Sequence, residues 1–399
     1  MTVRLARLED ICEINPRLPR DHGLQDDSEV SFVPMAAVSE VSGAIESATL
    51  RRYAEVRKGY TSFTDGDVLF AKITPCMENG KAALASGLAG GRGFGSTEFH
   101  VLRARESVLP EWLYYFVRRE PFRQEAKRNF TGTAGQQRVP ASFLQGAMVP
   151  VPSLVEQRRI VDLLARAEGI VRLRREARQK AAELIPAIFI DMFGDPATSA
   201  KRWPVQPLGE LLANGPNNGL YKHKSAYGSG TPILRIDAFY DGVVQDLGQL
   251  KRVRLDDENE QRRFALSEGD IVINRVNSPE YLGKSALIPP LTEPTVFESN
   301  MMRFAVNRSL VLPGFVIALL QQPASRRHFL ANAKHAINQS SINQQDVKSL
   351  PVMLPPMQLQ QSFAQRVQSA EAILTQQSDA LTKAQATFNA LLDRAFRAA

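Results

Sequence analysis

The sequence predicts an α+β protein with two repeated globular α/β domains, separated by two long helices that pair as an antiparallel coiled coil. Three observations predict it: an apolar stripe with heptad spacing, a copy of that stripe, and a wider internal repeat. Between Ile160 and Met192, the stripe residues recur at alternating spacings of four and three. The same stripe returns 203 positions later, between Phe363 and Ala395. Helices with this spacing pack along a partner helix, and the chain supplies both partners.

The residues predicted to pair the helices lie on these two stripes. Polar side chains at the middle of such a stripe lower stability but fix register, and in an antiparallel pair Arg174 and Gln377 would face each other. Pro186 lies inside the first stripe, so we expect a kink near Ala182. The predicted helix-pairing residues are Ile160, Leu164, Val171, Arg174, Ile185, Phe363, Val367, Leu374, Gln377, Leu381 and Phe388.

The internal repeat extends well beyond the helices. Gly80-Lys81 matches Gly283-Lys284, and Gly66-Asp67 matches Gly269-Asp270, always 203 positions apart. Because one register persists from the globular part into the helix, a whole unit is duplicated. The predicted limits are residues 1–152 for the first globular domain, 153–196 for the first long helix, 197–203 for a linker, 204–354 for the second globular domain and 355–399 for the second long helix.

Each globular domain is predicted to contain short strands followed by an amphipathic helix. Continuous apolar runs predict buried strands at 68–71 and 270–275. Pro110 suits the first turn of a helix, which is predicted over 111–128, and its copy over 312–333.

Three segments are predicted to lack regular structure. Residues 87–95 are rich in glycine, and residues 131–138 and 335–345 are polar. Such composition is typical of connections between elements.

Composition places the chain among ordinary globular proteins. It has 399 residues, of which 44% are hydrophobic and 23% charged, and its net charge of +7 suits a polyanionic partner without proving one. Cys12 and Cys76 have no counterparts in the second half, which argues against a disulfide framework or a zinc cluster. No apolar run is long enough to span a bilayer, so a cytoplasmic protein without a membrane partner is expected.

Several motifs suggest catalysis but do not satisfy its requirements. Gly283-Lys284-Ser285 is similar to the end of a phosphate-binding loop, but the loop requires glycine where Ser278 stands. The segment from Gly91 to Gly95 does not satisfy the dinucleotide pattern, because Ser96 replaces its last glycine. The histidines show neither metal-ligand spacing nor a nucleophile partner. We therefore predict no catalytic residues, no metal site and no cofactor bound by this chain.

Two polar regions in each half are candidates for DNA binding. The first directly follows the apolar strand, and the second is the polar loop. Amides can bond adenine edges, arginine can bond guanine, and hydroxyls can bond phosphates. Solvated turns use the same residue types, so a surface turn is the simpler explanation for any single residue, and DNA contact is favoured for the two regions as wholes. The predicted DNA-binding residues are Lys72, Thr74, Thr131, Thr133, Gln136, Gln137, Arg138, Arg275, Asn277, Asn338, Gln339, Ser340, Asn343 and Gln344.

The duplicated plan, the proline-to-helix junctions at 149–157 and 354–361, and the Gly-Asp strand entries together resemble the specificity subunit of type I restriction-modification systems. The segment Met192-Phe193-Gly194-Asp195-Pro196 is also similar to members of that family. The resemblance covers essentially the whole chain. It implies a non-catalytic subunit with two target recognition domains, each of which recognises half of a split asymmetric DNA site, while the helices act as spacer and docking surface.

The resemblance also implies partners and their cofactors. Double-stranded DNA, two methyltransferase subunits and restriction motor-nuclease subunits are the expected partners. S-adenosylmethionine would be bound by the methyltransferase subunits, which methylate adenine, and ATP with magnesium by the motor-nuclease subunits.

Two alternatives remain open from the sequence. One is a stand-alone regulator that binds two DNA half-sites. The other is a nuclease or methyltransferase with an unrecognised motif. A neighbouring adenine methyltransferase gene favours the subunit over the regulator, and methyl transfer or cleavage by the purified chain alone would favour the enzyme.

Overall fold

The computed structural model describes residues 4–19, 21–133, 135–198, 201–336 and 339–397. The chain divides into two compact units. Unit 1 comprises Met1–Ala177 and Ser378–Ala399, and unit 2 comprises Arg178–Gln377. Both boundaries fall inside long helices, so each unit contains one globular repeat together with segments of both helices.

Unit 1 combines short strands with short helices before the first long helix. Its elements are β1 (Arg4–Arg7), α1 (Leu8–Ile11), β2 (Cys12–Ile14), β3 (Glu29–Val33), β4 (Thr49–Arg52), α2 (Tyr53–Val56), β5 (Thr61–Thr64), β6 (Val68–Ala71), β7 (Ala82–Leu84), β8 (Arg92–Gly95), β9 (Phe99–Ala104), α3 (Pro110–Arg118), α4 (Glu120–Arg128), α5 (Ala141–Gly146), β10 (Met148–Val151) and the start of α6 (Leu154–Ala182).

The strands of unit 1 form two four-stranded sheets and one pair. The sheet orders are β2-β9-β6-β7 and β4-β3-β8-β5, and β1 pairs with β10. Strand β6 is buried along its whole length, as its apolar run predicts. The largest core of the unit includes Phe70, Trp112 and Phe116, and it also contains Leu164 of α6 and Phe388 of the last helix.

Unit 2 follows the same plan with more strands. Its elements are the end of α6, α7 (Leu184–Phe193), β11 (Val205–Pro207), β12 (Leu212–Asn218), β13 (Tyr227–Leu234), β14 (Phe239–Tyr240), β15 (Gly242–Val244), β16 (Lys251–Val253), α8 (Glu258–Phe264), β17 (Ile271–Asn274), β18 (Val276–Asn277), β19 (Ser285–Leu287), β20 (Val296–Phe297), β21 (Met301–Val306), α9 (Pro313–Leu320), α10 (Pro323–Asn332), β22 (Lys334–Ala336), β23 (Gln339–Ser341), α11 (Gln344–Lys348), β24 (Pro351–Met353) and α12 (Met357–Ala395), of which α12 continues into unit 1.

A six-stranded sheet in the order β12-β21-β17-β19-β15-β14 forms the centre of unit 2. Strands β16-β13-β20 and β18-β23-β22 form two smaller sheets, and β11 pairs with β24. The main core holds Phe189 and Phe193 of α7 together with Phe315 of α9 and Phe363 of α12. The Phe193 and Phe315 ring centroids lie 4.9 Å apart in an edge-to-face arrangement that aromatic pairs favour.

The repeated Gly-Asp pairs form the same turn in both units. Gly66 and Gly269 have φ of 87° and 85°, a region that favours glycine. The next residue is a buried aspartate whose Oδ2 accepts a backbone N–H bond, from Thr64 at 2.7 Å for Asp67 and from Ser267 at 2.9 Å for Asp270. The motif therefore has a structural role. It starts the strand that we call the central strand of each unit, β6 in unit 1 and β17 in unit 2.

A glutamine repeated at the start of each long helix makes equivalent bonds in the two units. Gln157 Oε1 accepts the backbone N–H of Leu109 at 2.9 Å, and Gln360 Oε1 accepts that of Leu312 at 2.9 Å. Their Nε2 groups donate to the carbonyls of Pro152 and Pro355, both at 2.9 Å. Each side chain is buried, so it fastens the start of the long helix to the residue that caps α3 in unit 1 or α9 in unit 2.

The first long helix is interrupted near Ala182, where Pro186 predicts the loss of a backbone hydrogen bond. α6 ends at Ala182 and α7 begins at Leu184. Pro186 has no backbone N–H, and its ring clashes with the carbonyl four residues earlier, which belongs to Ala182.

The single helices predicted over 111–128 and 312–333 are wrong, because each is two helices. The breaks lie at Arg119 and at 321–322, just before the second helices α4 and α10. Pro121 and Pro323 lie in the first turns of those helices, where the missing N–H costs little.

Residues 92–95 form strand β8, so the prediction of irregular structure is wrong there. A side chain at Gly93 would collide with the Phe63 ring, and one at Gly95 with the Val33 carbonyl. Glycine permits this close approach within a strand.

The helix-pairing residues divide between the two hydrophobic cores. The core of unit 1 contains or is contacted by Ile160, Leu164, Val171, Leu381 and Phe388. The core of unit 2 contains or is contacted by Ile185, Phe363 and Val367. Arg174 is exposed, whereas Leu374 and Gln377 are half-buried. The stripe thus describes the buried face of the helices. Pairing as an antiparallel coiled coil stays a prediction.

Candidate nucleic-acid interface

A cation follows the central strand in each unit, as the sequence predicts. Lys72 follows β6, and Arg275 follows β17. The Lys72 carbonyl accepts the Val139 N–H at 2.9 Å, and the Arg275 carbonyl accepts the Ile342 N–H at 2.9 Å. These equivalent bonds bring both predicted polar regions, the strand end and the loop, to one edge in each unit.

In unit 1, the loop folds back on itself beside the strand end. Thr131 and Arg138 exchange two backbone bonds of 2.9 and 3.0 Å, and the Thr74 N–H donates to the Gln137 carbonyl at 3.0 Å. Thr131, Thr133 and Gln136 are exposed, and Gln137 is half-buried. Hydroxyl and amide groups are therefore presented together at this edge.

Arg138 is already bound within the protein. Its Nε and Nη2 donate to Glu98 at 2.9 and 2.8 Å, and its Nη1 donates to the Gln136 carbonyl at 2.9 Å. These bonds hold the pKa of the Glu98 carboxyl below its usual range. The predicted contact of Arg138 with guanine requires this pair to open, so in the structure Arg138 orders the loop. Thr74 is also engaged, since its hydroxyl donates to Glu78 at 2.5 Å.

In unit 2, the segment predicted as a polar loop over 335–345 is a hairpin followed by a helix. Strand β23 pairs with β22 and with β18, where Asn277 lies opposite Ser340. Ser340 is only 2% exposed, and its Oγ lies 2.9 Å from His335 Nδ1. The side chain is therefore not presented at the surface in the structure, and its contact with DNA stays a prediction. Gln339 is exposed, and Asn338 lies outside the described residues.

Asn343 is a helix cap and not a free amide. Its Oδ1 accepts the N–H groups of Gln345 at 2.7 Å and Asp346 at 3.1 Å, while Asp346 accepts the Asn343 N–H at 2.7 Å. This reciprocal pattern is a capping box, and Asn-x-x-Asp in the sequence was its signal. The cap engages Oδ1 of this exposed side chain, and contact of Asn343 with DNA stays a prediction. Gln344, in the first turn of α11, stays exposed.

Arg275 is half-buried at the strand end of unit 2. Its N–H donates to the Asn300 carbonyl at 2.8 Å, and its Nη1 donates to the Ser299 carbonyl at 3.2 Å. Its buried Nε has no hydrogen-bond partner among the described residues. The guanidinium thus keeps donors that the protein does not use.

A basic groove beside this strand end was missed from the sequence. It is a concave surface of about 390 Å³ that includes Ser299 and Asn300, the residues that hold Arg275. The side chains that give it charge and aromatic character are Tyr221, Lys224, Arg235 and Lys251. The run Tyr221-Lys222-His223-Lys224 was the available signal, since basic residues next to an aromatic ring are typical of nucleic-acid contacts.

The repeated Gly-Lys pairs are structural, which supports the rejection of a phosphate-binding loop. Lys81 Nζ donates to the Met35 carbonyl at 3.3 Å, and Lys284 Nζ donates to the Ile236 carbonyl at 2.6 Å. Lys284 also lies 3.8 Å from the ring centroid of Tyr240. Each lysine fastens the central sheet to a neighbouring loop.

Two further features are absent from the part of the chain that the structure describes, a metal-binding cluster and a membrane-spanning helix. There, His, Cys, Asp and Glu form no group of three or more that could hold a metal ion. Among the described helices, none combines the length and the apolar character needed to cross a membrane.

These features define a class of protein: a duplicated α/β domain whose copies each present a cation and polar side chains at a strand end, with a long helix after each copy. The chain belongs to the family described as "Type I restriction modification DNA specificity domain", which matches it twice, over residues 2–183 and 201–383. The family resemblance and the two repeated α/β domains predicted from the sequence are thereby confirmed.

Curated relatives are named as specificity subunits of type I restriction enzymes. The chain is 39% identical over 160 residues to the type I restriction enzyme EcoEI specificity subunit of Escherichia coli, a match that covers 40% of this chain and 26% of the relative. It is 25% identical over 312 residues to the StySPI specificity subunit of Salmonella potsdam, covering 74% of this chain and 66% of the relative. The chain thus matches only about a quarter of the length of the EcoEI subunit.

Solved structures share the fold. A chain from a study of complex assembly and conformational transition of the type I R-M system superposes with a TM-score of 0.63 at 20% identity, covering 99% of this chain and 98% of that one. The type I restriction-modification S subunit from M. genitalium gives a TM-score of 0.53 at 12% identity, covering 99% and 96%. At these identities, the likeness concerns the fold alone.

Proposed function

We propose that this chain is the non-catalytic DNA sequence-recognition subunit of a type I restriction-modification complex. In this proposal, each unit recognises one half of a bipartite asymmetric DNA site. The observation that carries it is the duplicated specificity domain, in which both copies place a cation and polar side chains at one sheet edge.

Differences between the two edges support an asymmetric site. The bonds to Lys72 and Arg275 make Val139 and Ile342 equivalent, so Arg138 of unit 1 corresponds to Ser341 of unit 2. Unit 1 therefore presents a salt-bridged arginine where unit 2 presents a hydroxyl. Base recognition depends on the donors and acceptors at each position, so different edges are expected to recognise different half-sites.

The proposed partners are double-stranded DNA, two methyltransferase subunits and restriction motor-nuclease subunits in the cytoplasm. The methyltransferase subunits would bring S-adenosylmethionine and methylate adenine. The motor-nuclease subunits would bring ATP and magnesium. This division assigns to the present chain only DNA recognition and docking.

A selection experiment tests the proposal. The chain is purified with the adenine methyltransferase subunits encoded beside it, and DNA methylated by the complex is selected from a random library. We expect two fixed sequence blocks separated by an unspecified gap. A hybrid in which residues 204–354 come from a related protein should change one block and leave the other unchanged.

Three outcomes would contradict it. A single contiguous site, or a hybrid that changes both blocks, would contradict recognition by two separate units. Methyl transfer or cleavage by the purified chain alone would contradict a non-catalytic role. Sequence-specific binding without any association with the methyltransferase would favour the stand-alone regulator.

A further inference from the structure

The basic groove of unit 2 contains two lysines that form no ion pair among the described residues, although the charge of Lys251 acts on the Glu298 carboxyl and favours a lower pKa there. Lys224 and Lys251 are exposed, and neither forms any of the salt bridges found in the described part of the chain. Lys222, between Tyr221 and His223, is different because it pairs with Asp256 at 2.7 Å and Glu260 at 2.8 Å. The ammonium groups of Lys224 and Lys251 are therefore available to an anion.

Arg235 adds a third cation with unused donors. Its Nε forms ion pairs with Glu298 at 3.6 Å and Asp237 at 3.8 Å, which partly balance its charge, but both distances are too long for hydrogen bonds. Its buried Nε has no hydrogen-bond partner among the described residues, an arrangement that costs free energy unless a ligand supplies an acceptor. Glu298 is the one acid in the groove lining, and it accepts the Ile236 N–H at 2.7 Å while burial raises its pKa.

The repeat shows that the fold does not require these cations. Phe32 pairs in parallel with Phe94, and Leu234 pairs in the same way with Phe297, so the next residues, Val33 and Arg235, are equivalent. The same registers make Leu50, opposite Ser31, equivalent to Lys251, opposite Ile233. Unit 1 thus builds the same strands with Val33 and Leu50, so the strands themselves require no cation at either position. Arg235 faces Glu298 in unit 2, where unit 1 has Gly95, so only Lys251 is left without such a partner.

We propose that this groove binds backbone phosphates of duplex DNA beside the half-site that unit 2 recognises. Lys224, Arg235 and Lys251 supply the charge, and Tyr221, which is 78% exposed, places an aromatic ring against the sugar-phosphate backbone. Lysines act on phosphates as point charges and lack the planar fork that recognises guanine, so the contact is independent of sequence. The inference rests on the proposed function, because it takes duplex DNA as the ligand.

Salt dependence of DNA binding tests the groove. The full chain and its Lys224→Ala and Lys251→Ala variants are titrated into two duplexes, one of random sequence and one with the sequence selected by the wild type. Loss of one phosphate contact should make the slope of log affinity against log salt shallower by about 0.9. Between 50 and 200 mM salt, the affinity of each variant should therefore fall by a factor about 3.5 times smaller than that of the wild type. The sequence selected by each variant should equal that of the wild type.

Arg308→Ala is the matched control. It removes the same charge from unit 2, but Arg308 follows the far end of β21, whereas the groove adjoins the first residue of that strand. Six residues of strand place them roughly 20 Å apart. The slope for this variant should equal that of the wild type.

The outcomes separate the groove from the proposed function. Unchanged slopes for both lysine variants, with a wild type that prefers one sequence, would overturn the groove and leave the function intact. A change in the selected sequence would overturn the phosphate contact in favour of base recognition. Lower slopes in a chain without any sequence preference would support the groove and overturn the proposed function. A wild type that binds neither duplex would overturn both.

Discussion

Replacement of the repeated glutamines, Gln157→Ala in unit 1 and Gln360→Ala in unit 2, should destabilise the two units separately and by similar amounts. Each side chain accepts the first N–H of a neighbouring helix and donates to a proline carbonyl. Alanine removes both partners and leaves two backbone groups unpaired at a buried position. Gln157 makes one further bond, to the Ser107 carbonyl at 3.0 Å.

The magnitude follows from the groups left without partners. A buried backbone group without a hydrogen-bond partner costs on the order of 1.5 kcal/mol, so two of them give about 3 kcal/mol for either substitution. Ser107 is exposed, so water can bond its carbonyl in place of Gln157. Loss of this third bond therefore adds little to the destabilisation by Gln157→Ala. The two free energies of unfolding should therefore fall by nearly equal amounts.

The two tryptophans make the assay specific to each unit. Trp112 lies in unit 1, where its indole N–H donates to Pro150, and Trp203 lies in unit 2, where its indole N–H donates to Phe193. With fluorotryptophan labelling, fluorine NMR during urea unfolding follows each unit by its own resonance. Gln157→Ala should shift the Trp112 transition, and Gln360→Ala should shift the Trp203 transition.

Exposed neighbours provide the controls. Arg158→Ala and Gln361→Ala alter the adjacent positions of the same helices, which are exposed, and should change stability by no more than about 0.5 kcal/mol. If the glutamine variants unfold at the wild-type midpoints, the two bonds do not fasten the helices and the argument from buried partners is refuted.

Further predictions concern the interface and the folding of unit 1. Lys72→Ala and Arg275→Ala should each weaken DNA binding. If the contact is to phosphate, each should also lower the slope of log affinity against log salt by about one. Unchanged affinity and slope in both variants would exclude the two residues from the DNA interface. The Glu98 pKa is lowered in the fold, so the stability that its carboxylate contributes is present above its usual pKa and lost as pH falls through the lowered value. The measurement is the difference in unfolding free energy between the wild type and Glu98→Gln as a function of pH. This difference should be constant above the usual glutamate pKa and should shrink as the pH falls through the lowered value. In Gly95→Ala the new methyl group meets the Val33 carbonyl, so the free energy of unfolding should fall by about 3 kcal/mol. In Gly66→Ala the methyl group meets open space and only the positive φ is unfavourable, so the fall should be about 1 to 2 kcal/mol. Equal losses of stability would contradict the collision at Gly95.

Local patterns predicted the elements whose signals lie within a few residues. The apolar run of β6 and the spacing of the long helices are such signals, and so is Pro186, which fixes the helix break by its missing donor. Pro121 and Pro323 were overlooked because an amphipathic pattern continues through them. Strand β8 was missed since its glycines are required by Phe63 and Val33, which lie far away in sequence.

The interface was predicted less well because its state depends on contacts across the fold. Lys72 and Arg275 follow buried strands, so their places were predictable from the sequence. Ser340 is buried in the folded hairpin, where its hydroxyl lies 2.9 Å from His335 Nδ1, and the polar composition of the segment does not indicate this burial. Arg138 is bound by Glu98, forty positions away. Similarly, the basic groove combines four separate segments of unit 2, which only the folded sheets bring together.

The duplication separates residues that build the fold from those that serve a particular half-site. Positions that agree between the copies, such as Gly66 with Gly269 and Gln157 with Gln360, make the same turns and bonds in both units. Positions that differ include Arg138 against Ser341, which lie at the strand end where base recognition is proposed. A chain that binds two different half-sites needs one scaffold built twice and two distinct chemistries at its edges. Divergence at those edges is therefore the expected consequence of the proposed function, and exchange of the edge residues between the units is the change most directly expected to exchange their preferences.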